Sequence, residues 1–166
     1  MRLYELDYGS YEKKPSDLTV RKKKLALFDL KLPGEKCNIR TLVTRWIFAL
    51  ISKGGIEIYY VTEAASGEII HSSSVMGRSL KFPFMGNGDI HIGPCITAPD
   101  YRGRGIYKQV LRFINGEKQE SCQRAYMLVS EGNLPSIKGI EASGFRQIGT
   151  VEKSKILKIY RKCTDV

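Results

Sequence analysis

The feature that most constrains this 166-residue chain is a glycine–arginine turn that joins a β-prone run to a helix-prone run. The β-prone run ends at Ile96 and Thr97, the turn is Arg102-Gly103-Arg104-Gly105, and apolar residues recur at helical spacing over 104–120. Glycines let backbone amides turn inward without a Cβ in the way, and a helix start presents unpaired N–H groups at the positive end of its dipole. The turn is therefore predicted to cradle an anion such as a pyrophosphate.

Two well-known phosphate-binding sequences are excluded at this turn. It has no Gly-Lys-Ser/Thr, which rules out a nucleotide-binding P-loop. It also lacks Gly-x-Gly-x-x-Gly and follows a predicted hairpin, which rules out a dinucleotide-binding fingerprint. If the loop had no function, the occurrence of two glycines and two arginines together at this turn would be a coincidence. We therefore interpret the turn as a binding element.

The rest of the chain alternates between strand-forming and helix-forming segments. A turn at residues 65–67 joins the runs 56–61 and 68–75 into a predicted antiparallel hairpin, and a loop is predicted over 76–88. The other predicted elements are a strand over 23–32, a helix over 38–52, a strand over 89–97, a helix over 104–120, a strand over 125–130, a helix over 134–143, and strands over 146–151 and 155–161. This order predicts an α/β (α+β) fold with a mixed central sheet.

Length and composition narrow the class of protein. The chain is 42% hydrophobic, which fits one compact domain spanning residues 1–166. Its start is polar and charged, and no apolar run approaches the roughly 20 residues that span a bilayer, so a cytoplasmic protein without a membrane partner is expected. The four cysteines form no Cys-x-x-Cys pair and lack nearby histidines, so no metal site is predicted. Cys95 and His91 are close enough in sequence to suggest a nucleophilic cysteine with a histidine base, but the surrounding residues match no known protease or hydrolase turn.

The net charge of +10 favours polyanionic partners. Lysine and arginine concentrate at residues 21–24, at the glycine–arginine turn and over 153–162. The chain shows no helix-turn-helix spacing, zinc finger or aromatic-rich RNA-binding signature, which argues against nucleic acid. A phosphorylated cofactor or a nucleotide-linked substrate accounts for the charge equally well, and residues 21–24 are typical of a solvated strand start.

Two motifs together resemble the GNAT superfamily of acyl-CoA-dependent N-acetyltransferases. The first is Arg/Gln-x-x-Gly-x-Gly/Ala after a strand and at a helix start, which Arg102 and Gly105 match, whereas Tyr107 stands where the family carries Gly or Ala. The second runs from Asn133 through a helix to Gly144-Phe145 and is similar to the family's second coenzyme-side motif. Two motifs at the proper separation are a stronger signal than either alone.

The resemblance covers residues 56–151 and implies a GNAT-like domain spanning 1–166. Its sheet would be mostly antiparallel, with helices around it and a splayed parallel pair formed by 89–97 and 125–130. Proline cannot donate to a sheet ladder, so a bulge or a lost neighbour is independently predicted at Gly93-Pro94. Acetyl-CoA is the implied acyl donor, without a metal, and homodimers are common in the family. The implied coenzyme contacts are Cys95, Ile96, Thr97, Arg102, Gly103, Arg104, Gly105, Ile106, Tyr107, Asn133 and Ser136.

Acetyl transfer to an amine needs a group that takes the amine proton. On a regular strand Cys95, Gly93, His91 and Asp89 share one face, beside the thioester that the resemblance implies. Many family members carry a carboxylate where His91 stands, and an imidazole with a pKa of about 6.5 can take a proton near neutral pH. His91 is therefore predicted to be the general base, directly or through water, and His71 is a second candidate.

The leaving thiolate needs a proton. The tyrosine that many relatives carry for this purpose corresponds to Ile140. Tyr107 and Tyr126 are candidate replacements, and water is the alternative donor.

The resulting prediction is transfer of an acetyl group from acetyl-CoA to a primary amine of a small metabolite, such as an amino sugar or a nucleotide-linked amino sugar. Arg78, Lys81, Phe82 and Phe84 of the predicted loop are candidate acceptor contacts. One alternative is a protein lysine or N-terminal acetyltransferase, against which the positive charge argues. The other is a non-catalytic acyl-CoA-binding module, which the departures at Tyr107 and Ile140 favour.

Overall fold

The computed structural model describes residues 1–25, 55–154 and 159–163. Within these residues the strands are β1 (Arg2–Asp7), β2 (Arg21–Leu25), β3 (Ile56–Thr62), β4 (Ile69–Gly77), β5 (Ile90–Thr97), β6 (Arg124–Val129), β7 (Arg146–Lys153) and β8 (Tyr160–Lys162), and the α-helices are α1 (Ile106–Lys118) and α2 (Leu134–Glu141). The predicted helix over 38–52 lies outside the described residues. So do most of the predicted strand over 23–32 and residues 155–158 of the last predicted strand.

The described strands form one sheet in the order β2-β3-β4-β5-β6-β1-β7-β8. Neighbours pair antiparallel, as the predicted hairpin β3–β4 does, except for β5 and β6, which pair parallel. The mixed, mostly antiparallel sheet with one parallel pair is the predicted fold class, and it is confirmed.

Each face of the sheet carries its own core. On one face, α1 and α2 pack against side chains from β1, β3, β4, β5 and β6, and we call this the helix face. Val110, Leu111 and Ile114 of α1 are fully buried there, as expected for an apolar stripe at helical spacing. On the opposite face, which we call the ring face, Phe82 and Met85 of the loop after β4 pack on Ile58, Met76 and Tyr126.

Strand β1 is a central strand that the sequence reading missed. It lies between β6 and β7 and pairs antiparallel with both. Leu3 and Tyr4 are consecutive and both fully buried, one in each core, because a central strand is covered on both faces. Such a strand has no alternation of apolar and polar residues, and its charged ends made the segment read as polar.

Smaller departures from the predicted elements occur at their ends. Helix α1 begins at Ile106 rather than at 104, because Gly105 adopts a left-handed φ of 75° ahead of it. Strand β4 continues to Gly77, two residues into the predicted loop. In the described part of the chain, no helix is long and apolar enough to cross a membrane, and no three His, Cys, Asp or Glu side chains converge as a metal site would require.

Candidate functional site

A groove of about 560 Å³ runs along the helix face from the glycine–arginine turn to the end of β5. Its lining comes from three segments that the sequence places apart: the end of β5, the turn with the start of α1, and the start of α2. The lining residues are Cys95, Ile96, Thr97, Tyr101, Arg102, Gly103, Gly105, Ile106, Tyr107, Lys108, Asn133, Pro135, Ser136 and Gly139. Ten of the eleven predicted coenzyme contacts line the groove, and Arg104 is the one that does not.

The turn at one end of the groove presents backbone N–H groups to it. Gly103 and Gly105 both have φ of 75°, and a Cβ added to either would meet no atom within 4 Å, so the space over the turn is open. The first hydrogen bond of α1 runs from the Gln109 N–H to the Gly105 carbonyl over 3.1 Å, which leaves the N–H groups of residues 106–108 without helical partners. These amides at the positive end of a helix can bind a phosphate group.

The two arginines of the turn take different positions. Arg102 is exposed and lines the groove, and its Nε donates a 3.2 Å hydrogen bond to the Thr97 carbonyl. The guanidinium of Arg104 lies 4.9 Å from the centre of the Tyr101 ring, whose hydroxyl donates to Glu63. Arg102 is therefore the arginine that can reach an anion in the groove.

The other wall of the groove is the start of α2. Asn133 caps this helix, because its Oδ1 accepts a 3.3 Å hydrogen bond from the Ser136 N–H. Asn133 and Ser136 both line the groove, and Asn133 is exposed. The cap gives a physical reason for an asparagine at this position beyond any ligand contact.

Strands β5 and β6 separate at the end of the groove. Their parallel pairing is limited to Ile90 with Ala125 and His91 with Tyr126. Beyond His91, strand β5 is bulged, because its pairing with β4 shifts from Val75–Ile92 to Ser73–Cys95, so that three steps along β5 oppose two along β4. The predicted bulge at Gly93-Pro94 and the predicted splay of the parallel pair are both confirmed.

The same bulge makes one prediction about this strand wrong. Cys95 and His91 were expected to share a face, but Cys95 packs on the helix face, whereas His91 lies on the ring face, stacked on Phe82 with ring centroids 4.2 Å apart. The extra residue at the bulge reverses the alternation of side chains between His91 and Cys95. Where β5 and β6 separate, Cys95 therefore lies on the helix face and His91 on the ring face.

His91 is buried and its two ring nitrogens have no hydrogen-bond partner among the described residues. Burial, with a smaller contribution from the positive charge of Lys81, lowers the pKa of His91 to about 3. The ring is therefore neutral at physiological pH, with one nitrogen able to accept a hydrogen bond and the other able to donate.

On the helix face, the buried His71 ring lies between two hydroxyl groups. Its Nδ1 lies 2.7 Å from the Thr97 hydroxyl and its Nε2 lies 2.9 Å from the Ser73 hydroxyl. Cys95 is the partner of Ser73 in the pairing of β4 with β5, and the ring centroids of His71 and Tyr107 lie 6.0 Å apart. The sequence offered His71 only as an isolated candidate, because the contacts that connect it to Tyr107 join β4, β5 and α1.

The two candidate tyrosines lie on opposite sides of the sheet. Tyr107 is partly buried and lines the groove together with Cys95, and burial raises the pKa of Tyr107. Tyr126 is buried on the ring face, and this burial raises its pKa. The geometry thus brings Tyr107 to the groove and leaves Tyr126 on the opposite face of the sheet.

Gly139 of α2 is what allows the Tyr107 ring to lie against this helix. A Cβ at Gly139 would come 2.7 Å from Cδ1 of the Tyr107 ring, which is closer than packed atoms approach. Although Ala is the better helix former, Gly139→Ala is expected to lower the free energy of unfolding by about 1–2 kcal/mol, as overpacking does, and to displace the ring. Urea unfolding measures the loss.

Gly116 in α1 supplies the matched control for that prediction. The three atoms nearest to an added Cβ there all belong to the flexible Lys13 side chain, with Cε nearest at 3.1 Å, so Gly116→Ala is expected to raise the free energy of unfolding by about 0.5–1 kcal/mol. Equal effects of the two substitutions would contradict the close packing of Tyr107 on Gly139.

A mostly antiparallel sheet, a parallel pair that separates, and a glycine–arginine turn at a helix start beside that separation together define the GNAT acetyltransferase fold, and the chain has this fold. A GNAT-family acetyltransferase from Colwellia psychrerythraea superposes with a TM-score of 0.58 at 13% identity, over 89% of this chain and 52% of that one. A tandem GNAT protein from the clavulanic acid biosynthesis pathway gives 0.61 at 17% identity, over 88% and 49%.

An aminoglycoside N-acetyltransferase in complex with CoA gives a TM-score of 0.53 at 16% identity, over 87% of this chain and 100% of that one. Identities this low show the fold alone. This chain spans about half the length of the first structures it matches, with 52%, 59% and 47% of theirs covered. No protein-family model and no curated protein sequence matches the chain.

Proposed function

We propose that this chain transfers an acetyl group from acetyl-CoA to a primary amine of a small metabolite, with an amino sugar or a nucleotide-linked amino sugar as the acceptor. The observation that carries the proposal is the continuity of the groove. It joins a cradle of helix-start amides beside Arg102 to the separation of β5 and β6, where Cys95 and Tyr107 lie. A diphosphate at one end and a thioester at the other are the two chemical ends of the donor.

The residues present fit this donor. The open space over Gly103 and Gly105 admits phosphate oxygens, and Arg102 and Lys108 supply positive charge along the groove. Residues 95–97 pair with β4 on one side, but the pairing of β5 with β6 ends at His91, so the other edge of these residues is available to the amide-bearing arm of the donor in the manner of an added strand.

The two faces of the sheet divide the chemistry in this proposal. The acceptor approaches from the ring face, where the neutral imidazole of His91 accepts a hydrogen bond from the amine N–H, directly or through water. Its pKa of about 3 makes His91 a weak base, so the amine proton passes on to solvent. As the new C–N bond forms and the C–S bond breaks, Tyr107 donates its hydroxyl proton to the leaving thiolate from the helix face.

Positive charge at the ring face supports an anionic acceptor. The Lys81 Nζ lies 5.3 Å from the centre of the Phe82 ring and 5.4 Å from that of Tyr160, and the Lys162 Nζ lies 5.8 Å from the centre of the Phe84 ring. Burial and the neighbouring Lys153 lower the pKa of Lys81, as an electropositive surrounding does. Aromatic rings beside ammonium groups suit a sugar or base that carries phosphates.

The binding half of the proposal is tested by titrating acetyl-CoA into the protein by calorimetry. Arg102→Ala is expected to weaken binding about tenfold or more, because it removes a charge-assisted contact to phosphate. Arg146→Ala, which removes an exposed arginine of β7 outside the groove lining, is the matched control and should leave the affinity unchanged. Absence of saturable heat in the folded wild type would sink the proposal.

Turnover is tested by following CoA thiol release with matched pairs of amines, each with and without a diphosphate. Preferential turnover of the diphosphate member, with a KM raised by Lys162→Ala, supports the anionic acceptor. Turnover of lysine peptides instead would transfer the proposal to protein acetylation. Binding without turnover of any amine would leave an acyl-CoA-binding module and contradict the catalytic half.

A further inference from the structure

The Phe82 ring lies directly on the imidazole to which the acceptor amine is proposed to bind. The two rings are stacked, with 4.2 Å between their centroids and 19° between their planes. His91 is 7% exposed, and both of its ring nitrogens are buried. In this conformation an acceptor amine therefore cannot reach either nitrogen.

The covered imidazole is not paired inside the protein either. Neither ring nitrogen has a hydrogen-bond partner among the described residues, and the same holds for Oδ1 of the buried Asp89, just before β5. Buried polar groups without partners are rare and unfavourable, and a functional role is one reason for retaining them. The nitrogens of His91 are thus held ready for a partner that this conformation keeps out.

One edge of the imidazole faces the strand separation. A Cβ added to Gly93 would lie 3.2 Å from Cε1 of His91 and 3.9 Å from its Nε2. Gly93 follows the last parallel pair, His91 with Tyr126, and lies in the bulge of β5. An amine bonded to Nε2 would therefore lie beside the point where the proposed thioester enters between β5 and β6.

Phe82 is carried by residues 79–85, which we call the cover. Two of its backbone hydrogen bonds are internal, from the Phe82 N–H to the Ser79 carbonyl over 3.0 Å and from the Met85 N–H to the Phe82 carbonyl over 3.1 Å. Because these bonds join residues within the cover, they are kept when the cover moves as a unit.

Tyr160 of β8 holds the cover in place. Its N–H donates a 2.9 Å hydrogen bond to the Lys81 carbonyl, and its ring stacks on Phe82 with 5.5 Å between centroids and 26° between planes. Tyr160 is partly exposed and belongs to a strand of three residues. A ring stack and a backbone hydrogen bond at such a short strand can break locally, without unfolding of the sheet.

We propose that Phe82 is the gate residue of the acceptor site: the amine reaches His91 when the cover lifts the Phe82 ring off the imidazole, and Tyr160 holds this gate closed. The kinetic consequence rests on the proposed acetyl transfer. The opening itself is a property of the folded protein and is measured without turnover.

The opening is measured by the rate at which diethyl pyrocarbonate modifies His91. The chain has two histidines, so His71 on the helix face, away from the cover, is an internal reference, and peptide mass spectrometry separates the two. Both rings are neutral at pH 7, the reactive form, because burial lowers their pKa values to about 4 and about 3.

Urea distinguishes a local opening from global unfolding in the wild type. A local opening exposes little surface, so the modification rate of His91 is expected to change little at low urea, whereas that of His71 rises in step with unfolding. Equal urea dependence of the two histidines would overturn the gate, because His91 would then be exposed only when the whole protein unfolds.

Tyr160→Ala tests the residue that holds the gate closed. It is expected to raise the modification rate of His91 by about threefold to tenfold, the worth of an aromatic pair, without a change at His71. Phe113→Ala, which removes a partly buried ring packed against Tyr59 on the helix face, is the matched control and should leave the rate at His91 unchanged. An equal rise at both histidines in Tyr160→Ala would overturn the role of Tyr160.

The kinetic test uses the same variant at saturating acetyl-CoA. Since a binding site that is open for only a fraction of the time binds more weakly by that fraction, Tyr160→Ala is expected to lower the KM for the amine by the factor that modification measures. An unchanged or raised KM beside faster modification would overturn the gate, because the opening would then not lie on the path of the acceptor. If no amine is turned over, acetyl transfer fails while the modification rates still show whether the cover opens.

Discussion

Replacing Tyr107 by phenylalanine is expected to lower kcat for acetyl transfer by about 10²- to 10⁴-fold, the range over which a positioned proton donor acts. The ring keeps its packing against Gly139, since only the hydroxyl is removed. Of the two candidate acids, Tyr107 and Tyr126, only Tyr107 lines the groove. Burial raises the pKa of Tyr107, so its hydroxyl keeps its proton at neutral pH until the thiolate forms. Steady-state kinetics with a saturating amine measure the loss.

Tyr126→Phe is the matched control for this prediction. It removes a phenol hydroxyl of the same chemistry on the ring face, from a residue that does not line the groove. It is expected to change kcat less than Tyr107→Phe by at least tenfold, and the calorimetric affinity for acetyl-CoA should stay unchanged in both variants. A loss confined to Tyr126→Phe would assign the acid to the other face, and equal retention of kcat in both would leave water as the proton source.

The turn and the strand separation could be predicted from sequence because each depends on local chemistry. Glycine at Gly103 and Gly105 permits positive φ, and Pro94 cannot donate to a ladder, so both features follow from single residues whatever their neighbours in space. The helix after the turn could also be predicted from local sequence, since its buried residues recur at helical spacing.

The buried part of the site could not be predicted from sequence, because its contacts depend on which strands are neighbours in the sheet. Strand β1 carries no alternation because β6, β7 and both cores surround it. The faces of His91 and Cys95 were predicted from a regular strand, although the bulge predicted between them reverses the alternation. The contacts of His71 with Ser73 and Thr97 depend on the register of β4 with β5, which no local pattern specifies.

The two histidines are expected to make the protein sensitive to mild acid. Burial lowers their pKa values from the ordinary 6.5 to about 4 for His71 and about 3 for His91, so the unfolded chain binds these protons at a higher pH than the folded one. The folded state is therefore most favoured above about pH 6.5, and stability is lost progressively as the pH falls toward the folded pKa values. Each histidine contributes a slope of up to about 1.4 kcal/mol per pH unit.

Together the two slopes approach about 2.7 kcal/mol per pH unit, and between pH 6 and 4 they sum to about 5 kcal/mol, comparable to the whole stability of many domains. Urea unfolding at half-unit steps of pH measures this dependence. His91→Leu and His71→Leu are each expected to remove about half of the slope between pH 6 and 5.

The window between pH 6 and 5 lies above the ordinary carboxylate pKa of 4.5. The pKa values of Glu57 and Glu63 are lowered from that value, so these two carboxylates contribute to the pH dependence only at lower pH. A wild-type slope near zero between pH 6 and 5 would mean that both rings are protonated in the folded protein, and the proposed role of His91 as a neutral hydrogen-bond acceptor would have to be abandoned.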